Sequence, residues 1–228
     1  MAVKYPGTAI IVFAKAPIQG EVKTRLISHI GAGNATLLHS MLAKNTLNTV
    51  TNAQLAQVQL WCAPDTKHDF FQKCAASWPI TLHQQTGADL GERMYHALST
   101  ALSQFEFAII VGTDCPGIDP DLLQETISYL ENGQDAVLSP AQDGGYVLMG
   151  LSKISATLFT GISWGEATVY QDTRERLQQL GWKWSHTEEL WDVDRPADVK
   201  KLLALCQTKT QSYLHTALSP YVSNLTDS

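Results

Sequence analysis

The chain alternates short, largely apolar runs with longer stretches in which apolar residues return every three or four positions. The short runs read as strands buried on both faces, and the longer period reads as amphipathic helices. Strands are therefore expected at 9–14, 58–62, 80–82, 107–111, 136–138, 146–151 and 182–185. One helix is expected at 34–50, where Leu37, Leu38, Met41, Leu42 and Leu47 keep the period. Another follows Asp65, with Phe70, Phe71 and Cys74 on its apolar side. Further helices fall at 89–103, 119–130, 154–159, 168–180 and 196–205. Asn34 and Asp65 are placed as caps, Pro120 suits a first helical turn, and Gly133 and Gly181 suit helix ends. Residues 208–228 are polar and weakly patterned, either a packed arm or a loose tail.

This order implies an α/β fold of three layers, with a mostly parallel mixed sheet between helices. No proline- or serine-rich linker divides the 228 residues, so a single domain over 1–228 is expected. A chain of this length buries roughly 70% of its unfolded surface and needs no staple. Cys62, Cys74, Cys115 and Cys206 form neither CxxC nor CxxH, which argues against structural zinc. Sixteen basic against 22 acidic residues give a net charge of -6. That balance disfavours a broad nucleic-acid surface while allowing a local cationic pocket. No apolar run is long enough to span a bilayer, and none of signal-peptide form precedes the first strand. A cytoplasmic protein is expected.

In a parallel sheet the carboxyl ends of the strands share one edge, so residues far apart in sequence can meet in one cleft. The first strand stops at Lys15, and the loop after it carries Gly20, Lys23 and Arg25, with Glu21 reducing its charge. It is not a Walker A loop, and no GxGxxG occurs. Arginine offers a bidentate fork and lysine a compact charge, so the loop suits phosphate; a solvated surface loop is the plain alternative. Asp114, in VGTDCPG, follows the strand at 107–111 and reads either as a ligand for a divalent cation or as an Asx turn. Asp192 and Asp194 alternate in LWDVDRP, which puts both carboxylates on one face of an extended segment. They either complete a cation site with Asp114, or one of them caps the helix beginning at Pro196. Asp143-Gly144-Gly145-Tyr146 reads as a ligand-facing turn or a plain hairpin, with Tyr146 stacking on a ligand or filling the core. Glu166, after Trp164 and Gly165, is either a base or acceptor contact or a helix cap. The seven histidines are scattered, and neither HExxH nor GxSxG occurs.

Five segments carry a resemblance to a known family: FAKAPIQGEVKTRL at 13–26, TGADLGERM at 86–94, VGTDCPGI at 111–118, SPAQDGGYVLMGL at 139–151 and DVDRPADV at 192–199. They resemble the bacterial DUF2064 family of GT-A-like glycosyltransferases, related to nucleotide-diphospho-sugar transferases. A more distant likeness is to the guanylyltransferase acting on 2-phospholactate. The resemblance implies that Ala14, Lys15, Lys23 and Arg25 surround a nucleotide and its phosphates. It gives Gly87, Asp89 and Gly91 to a second nucleotide-facing loop. It makes Asp114 the metal-bearing aspartate, with Asp194 as the second metal residue, for Mg2+ or Mn2+. Asp143, Asp192 and Glu166 are the expected acceptor-side or catalytic carboxylates. Glu21 and Glu166 depart from the family pattern, in which a further cation and a hydroxyl residue are expected.

The resulting expectation is metal-assisted transfer of a sugar from a nucleotide-diphosphate sugar to a small acceptor. The alternative is nucleotidyl transfer from a nucleoside triphosphate to a phosphorylated acceptor. Both need cations around phosphates. A third reading is a nucleotide sensor without catalysis.

Overall fold

The computed structural model describes residues 3–208. Seven strands form one sheet: β1 (Thr8–Lys15), β2 (Gln57–Ala63), β3 (Ile80–Gln84), β4 (Phe107–Val111), β5 (Ala136–Pro140), β6 (Tyr146–Leu151) and β7 (Trp184–His186). The helices are α1 (Ile27–Asn52), α2 (Asp69–Ser77), α3 (Leu90–Leu102), α4 (Pro120–Glu131), α5 (Val169–Gln179) and α6 (Pro196–Thr208). The strands lie in the order β3-β2-β1-β4-β6-β5-β7. Only β6 is antiparallel to its neighbours β4 and β5; every other pairing is parallel.

β1 is the hinge of this arrangement. The chain leaves it toward β2 and β3 on one side, then returns to place β4 on the other. Crevices that bind ligands in open α/β sheets form at such a reversal, beyond the carboxyl ends of the strands. Burial explains why β1 holds the centre. Ile10, Val12 and Ala14 face one layer, where α1, α2 and α4 contribute Leu47, Phe71 and Leu123. Ala9 and Ile11 face the other, with Leu98 of α3 and Leu177 of α5. Neither face of β1 can be given to water without exposing a buried row.

A third cluster anchors the acidic segment before α6. Leu26, Leu38 and Leu42 pack with Val193, Val199, Leu202 and Leu203. In the Asp192–Asp194 stretch Val193 is therefore the inward residue, and it is fully buried.

Several boundaries differ from the sequence reading for local reasons. α1 starts at Ile27 rather than at Asn34 and bends at Gly31, which takes φ 75 and ψ 156. Asn34 lies inside that helix, and its Nδ2 donates to the Ile30 carbonyl at 2.9 Å. His68, not Asp65, caps α2 through a bond accepted from the Phe70 N–H, while Asp65 accepts from the Lys67 N–H. The expected helix at 154–159 is a 3-10 turn over Ala156–Leu158. Asp119 caps α4 with Pro120 in its first turn. The arm or tail expected at 208–228 lies outside the described residues, apart from Thr208 at the end of α6. Among the described residues, no helix is long and apolar enough to cross a membrane.

Leu202 is fully buried between α6 and the first half of α1. Leu202→Ala should cost about 2–5 kcal/mol, the range for a core leucine whose site cannot collapse. Chemical denaturation of the two proteins checks this; a change below about 1 kcal/mol would show that α6 is not part of the cooperative core.

Candidate active site

A cavity of about 460 Å³ opens over the carboxyl ends of β1 and β4 and the start of β6. Ala14 and Lys15 come from β1, Lys23 and Arg25 from the following loop, Gly112 to Asp114 from the end of β4, and Asp192 and Asp194 from the segment before α6. Phe13, His39, Gln85, Leu90, Tyr146 and Val147 also line it.

Lys23 is the centre of the local geometry. It adopts a left-handed backbone, φ 49 and ψ 40, ahead of a 3-10 turn over Thr24–Leu26. Non-glycine residues rarely take that conformation, so the tertiary contacts hold it. Its side chain is only 2% exposed. The ammonium donates to the Val193 carbonyl at 2.6 Å and lies 2.8 Å from Asp114 Oδ1. The second contact is an ion pair without the alignment of a hydrogen bond, so Asp114 Oδ1 has no hydrogen-bond donor among the described residues. The Val193 N–H donates to the Asp114 backbone carbonyl at 2.9 Å, which ties the β4 end to the Asp192–Asp194 stretch. Arg25 pairs through Nη1 with Asp194 Oδ2, closer to the surface.

Each alternative reading of these carboxylates now has an answer. Asp114 forms no Asx turn, because no backbone N–H donates to its side chain among the described residues. Neither Asp192 nor Asp194 caps α6. Asp198 does that work, accepting from the N–H groups of Asp194 and Arg195 at 3.1 and 2.7 Å. The Asp194 carboxylate is thereby left to Arg25.

Among the described residues, Asp192 carries no such partner. Desolvation, followed by the negative charges of Asp114 and Asp143, pushes its carboxyl up to about 7; Asp194 adds to this and Lys23 opposes it. Surplus negative charge is therefore a property of the site. It suits a divalent cation in kind, although no group of three or more His, Cys, Asp or Glu is arranged to hold one among the described residues. As placed, Asp114 and Asp194 are each occupied by a cationic side chain.

Gly87, Asp89, Gly91, Asp143 and Glu166 do not line the cavity. Asp89 caps α3, accepting from the Glu92 N–H at 2.8 Å. Gly87 takes φ 145, and its carbonyl accepts from Arg93 Nε. A side chain at Gly91 would collide with Trp164. These three shape the loop into α3. Asp143 accepts from the Gly145 N–H at 3.0 Å within a five-residue connection from β5 to β6, so it closes an Asx turn rather than a two-residue hairpin. Glu166 is exposed and forms no side-chain cap on α5. Tyr146 lines the cavity, and burial pushes its phenol up.

His39 and Gln85 escaped the sequence reading. His39 lies on the apolar stripe of α1, four residues after Ala35 and one after Leu38. A polar residue on that stripe was the available signal. Its Nε2 bonds to the Lys15 carbonyl at 3.0 Å; a carbonyl only accepts, so Nε2 carries the proton. Nδ1 is 4.0 Å from Asp114 Oδ1. Burial holds the imidazole below its ordinary pKa, although the Lys15 carbonyl and Asp114 pull the other way. Gln85 follows β3 directly; the expected strand ended at 82 and hid it.

The profile of the family described as "Uncharacterized protein conserved in bacteria (DUF2064)" matches residues 46–166. The chain belongs to that family. No curated protein matches it. A candidate nucleotide-diphospho-sugar transferase from Desulfovibrio desulfuricans G20 is similar over 96% of this chain and 97% of its own, with 29% identity and a TM-score of 0.84. The inositol-1-phosphate CTP transferase of T. maritima is similar over 96% and 97%, with 13% identity and a TM-score of 0.59. The 4-diphosphocytidyl-2C-methyl-D-erythritol synthase of Anaerococcus prevotii DSM 20548 follows at 81% and 89%, 13% and 0.54. The fold is thus the GT-A-like nucleotidyltransferase fold, as expected. The sugar-transfer expectation is corrected by the same comparison. Its recurrent neighbours are named as enzymes of nucleotidyl, and above all cytidylyl, transfer rather than of sugar transfer.

The raised Asp192 carboxyl has a consequence for stability. Its folded value, about 7, exceeds the unfolded value near 3.9. The folded state therefore binds the extra proton between those limits, and stability from this group falls as pH rises from about 4 to 7. Asp192→Asn should raise the thermal midpoint above pH 7, with the gain disappearing toward pH 4. Melting curves at pH 4, 6 and 8 check it; a gain that is uniform across pH would reject the assignment.

Proposed function

We propose that this protein transfers a nucleotidyl group from a nucleoside triphosphate to a phosphorylated acceptor. The observation that supports it is the pair of cation–carboxylate contacts, Lys23 with Asp114 and Arg25 with Asp194, in the crevice where β1 and β4 diverge. Among the fold neighbours named above, the inositol-1-phosphate CTP transferase of T. maritima carries this type of reaction in its name.

In this reaction an oxygen of the acceptor's phosphate monoester attacks the α-phosphorus. The bond from the α-phosphorus to the bridging oxygen breaks, and pyrophosphate leaves with its electrons. The product joins the nucleoside monophosphate to the acceptor through a diphosphate. A phosphate monoester is largely a dianion at neutral pH, with its second pKa near 6. It needs no general base, so the base role first considered for Glu166 is unnecessary. What the reaction does need is positive charge around the phosphates.

Lys15, Lys23 and Arg25 supply that charge. Lys15 is exposed at the end of β1, and Arg25 is 61% exposed, so both are accessible to a triphosphate. Lys23 and Arg25 would exchange a carboxylate for a phosphate partner. Asp114 and Asp194, so released, would hold a Mg2+ or Mn2+ ion whose charge offsets that of the triphosphate. Asp192 would add to the negative field that draws the cation in.

With Mg2+ or Mn2+, a nucleoside triphosphate and a panel of phosphorylated alcohols and acids, 31P NMR should show pyrophosphate and a diphosphate-linked product in equal amounts. Release of a nucleoside diphosphate, or binding of triphosphate with no product across the panel, would overturn the reading. Asp114→Asn should lower kcat/KM on the order of 10²-fold, and Lys23→Met by a similar factor. Circular dichroism of both variants separates this from loss of folding, since Lys23 also holds its loop.

A further inference from the structure

Both carboxylates proposed above to hold a divalent ion already stand against a cation of this chain. Lys23 Nζ lies 2.8 Å from Asp114 Oδ1, and Arg25 Nη1 pairs with Asp194 Oδ2. Access is not what closes them, because the side chain of Asp114 is 45% exposed and that of Asp194 36%. The barrier is charge. A divalent ion arriving at either carboxylate meets a positive side chain at contact range, and the repulsion opposes the pull of the carboxylate itself. Around the cavity, Glu21, Asp114, Asp192 and Asp194 stand with Lys15, Lys23 and Arg25, four carboxylates against three cations. Little net attraction is left for a free metal ion.

The two pairs can both change partners. An ammonium has three donors. Lys23 spends one on the Val193 carbonyl at 2.6 Å, while its contact with Asp114 lacks hydrogen-bond alignment. It can turn its remaining donors to a phosphate oxygen while the Val193 anchor keeps the loop in place. Arg25 is 61% exposed, and an exposed pair of this kind contributes little to stability, so separating it from Asp194 costs little. A triphosphate carries more negative charge than these two side chains offset. Its arrival therefore occupies the cations and adds anionic oxygens beside the released carboxylates.

We propose that Lys23 and Arg25 lock the metal site: they exclude a free divalent ion, and a polyphosphate opens the site by drawing both cations off Asp114 and Asp194. The inference rests on the nucleotidyl-transfer reading, which gives those carboxylates to the metal, and adds to it the order in which the site fills. The protein takes up the ion with the phosphate chain and gives it up with that chain. By linkage the coupling is reciprocal, so metal and polyphosphate each tighten the other's binding. Each cation then has two opposite effects. In the free protein Lys23 and Arg25 lower metal affinity; with triphosphate present they secure the phosphates on which the metal depends.

The test is Mn2+ titration of the full chain without nucleotide, read by the electron paramagnetic resonance signal of the unbound ion. Arg25→Gln should tighten Mn2+ about tenfold, the scale of one unit charge acting on a divalent ion near a protein surface. Lys23→Met should tighten it at least as much. Arg195→Gln removes an exposed cation next to Asp194 but outside the cavity lining, and should change Mn2+ binding less than about twofold. Calorimetry with Mg2+ and a nucleoside triphosphate should show the opposite sign, with Arg25→Gln binding the nucleotide more weakly than wild type. Wild-type protein that binds free Mn2+ as tightly as Arg25→Gln overturns the proposal. So does a gain of equal size in Arg195→Gln, Mn2+ binding by none of the proteins, or nucleotide binding that Arg25→Gln leaves equal or tighter. If Lys23→Met does not fold, Arg25→Gln decides alone, since its side chain lies largely in solvent. No acceptor is present in these titrations, so the two readings fail separately: pyrophosphate formed by a protein without the lock leaves nucleotidyl transfer standing, and a working lock without pyrophosphate overturns nucleotidyl transfer.

Discussion

A buried ammonium governs the site. Lys23 Nζ reaches Asp114 at the end of β4 and the Val193 carbonyl in the segment before α6, while the Val193 N–H returns a bond to the Asp114 carbonyl. Three segments distant in sequence are closed into one junction by a single side chain. Removing an ammonium from water costs several kcal/mol unless partners replace its hydration, so Lys23 cannot be buried without them. The left-handed backbone at Lys23 is the local cost of aiming the side chain inward. The outer pair, Arg25 with Asp194, is half in solvent and contributes little to holding the fold. The inner contact sets the architecture, and the outer one remains adjustable.

The packing behind this junction explains its position. Val193 turns inward against Leu26, Leu42 and Leu202, which forces its two neighbours to the opposite side of an extended segment. The acidic character of the crevice therefore follows from the hydrophobic placement of one valine. Asp192 shows what that costs: burial first, then three further carboxylates, raise its pKa, and a single nearby lysine does not compensate. Lys23 and Arg25 each stand against a carboxylate of this acidic crevice, Asp114 and Asp194.

Much of this was legible in the chain because it rests on periodicity. The apolar runs of β1 and β4 marked the two strand ends that form the crevice, and the alternation of Asp192, Val193 and Asp194 gave the right face to the right residue. The helix caps were harder. Asp, Asn and His all accept from backbone N–H groups, and the choice between Asp65 and His68, three residues apart, or between Asp194 and Asp198, four apart, depends on where the helix begins within about one turn. His39 and Gln85 were missed because their significance comes from neighbours contributed by other strands. The reaction was misread for a different reason. Sugar transfer and nucleotidyl transfer both surround phosphates with cations, so motifs that report the cations do not report which bond breaks.

The lone antiparallel strand also bears on how such a site can diversify. β1 and β4 deliver strand ends to the crevice, each followed by a crossover that carries a whole helix, whereas β6 delivers a strand beginning, Tyr146 and Val147, at the end of a five-residue connection. A parallel crossover cannot be resized without moving its helix, but a hairpin connection can be lengthened at small entropic cost. One wall of the crevice is thus pinned by topology and the other is free to drift. Homologues can retain the wall built on β1 and β4 intact while insertions after Pro140 remodel what stands opposite it.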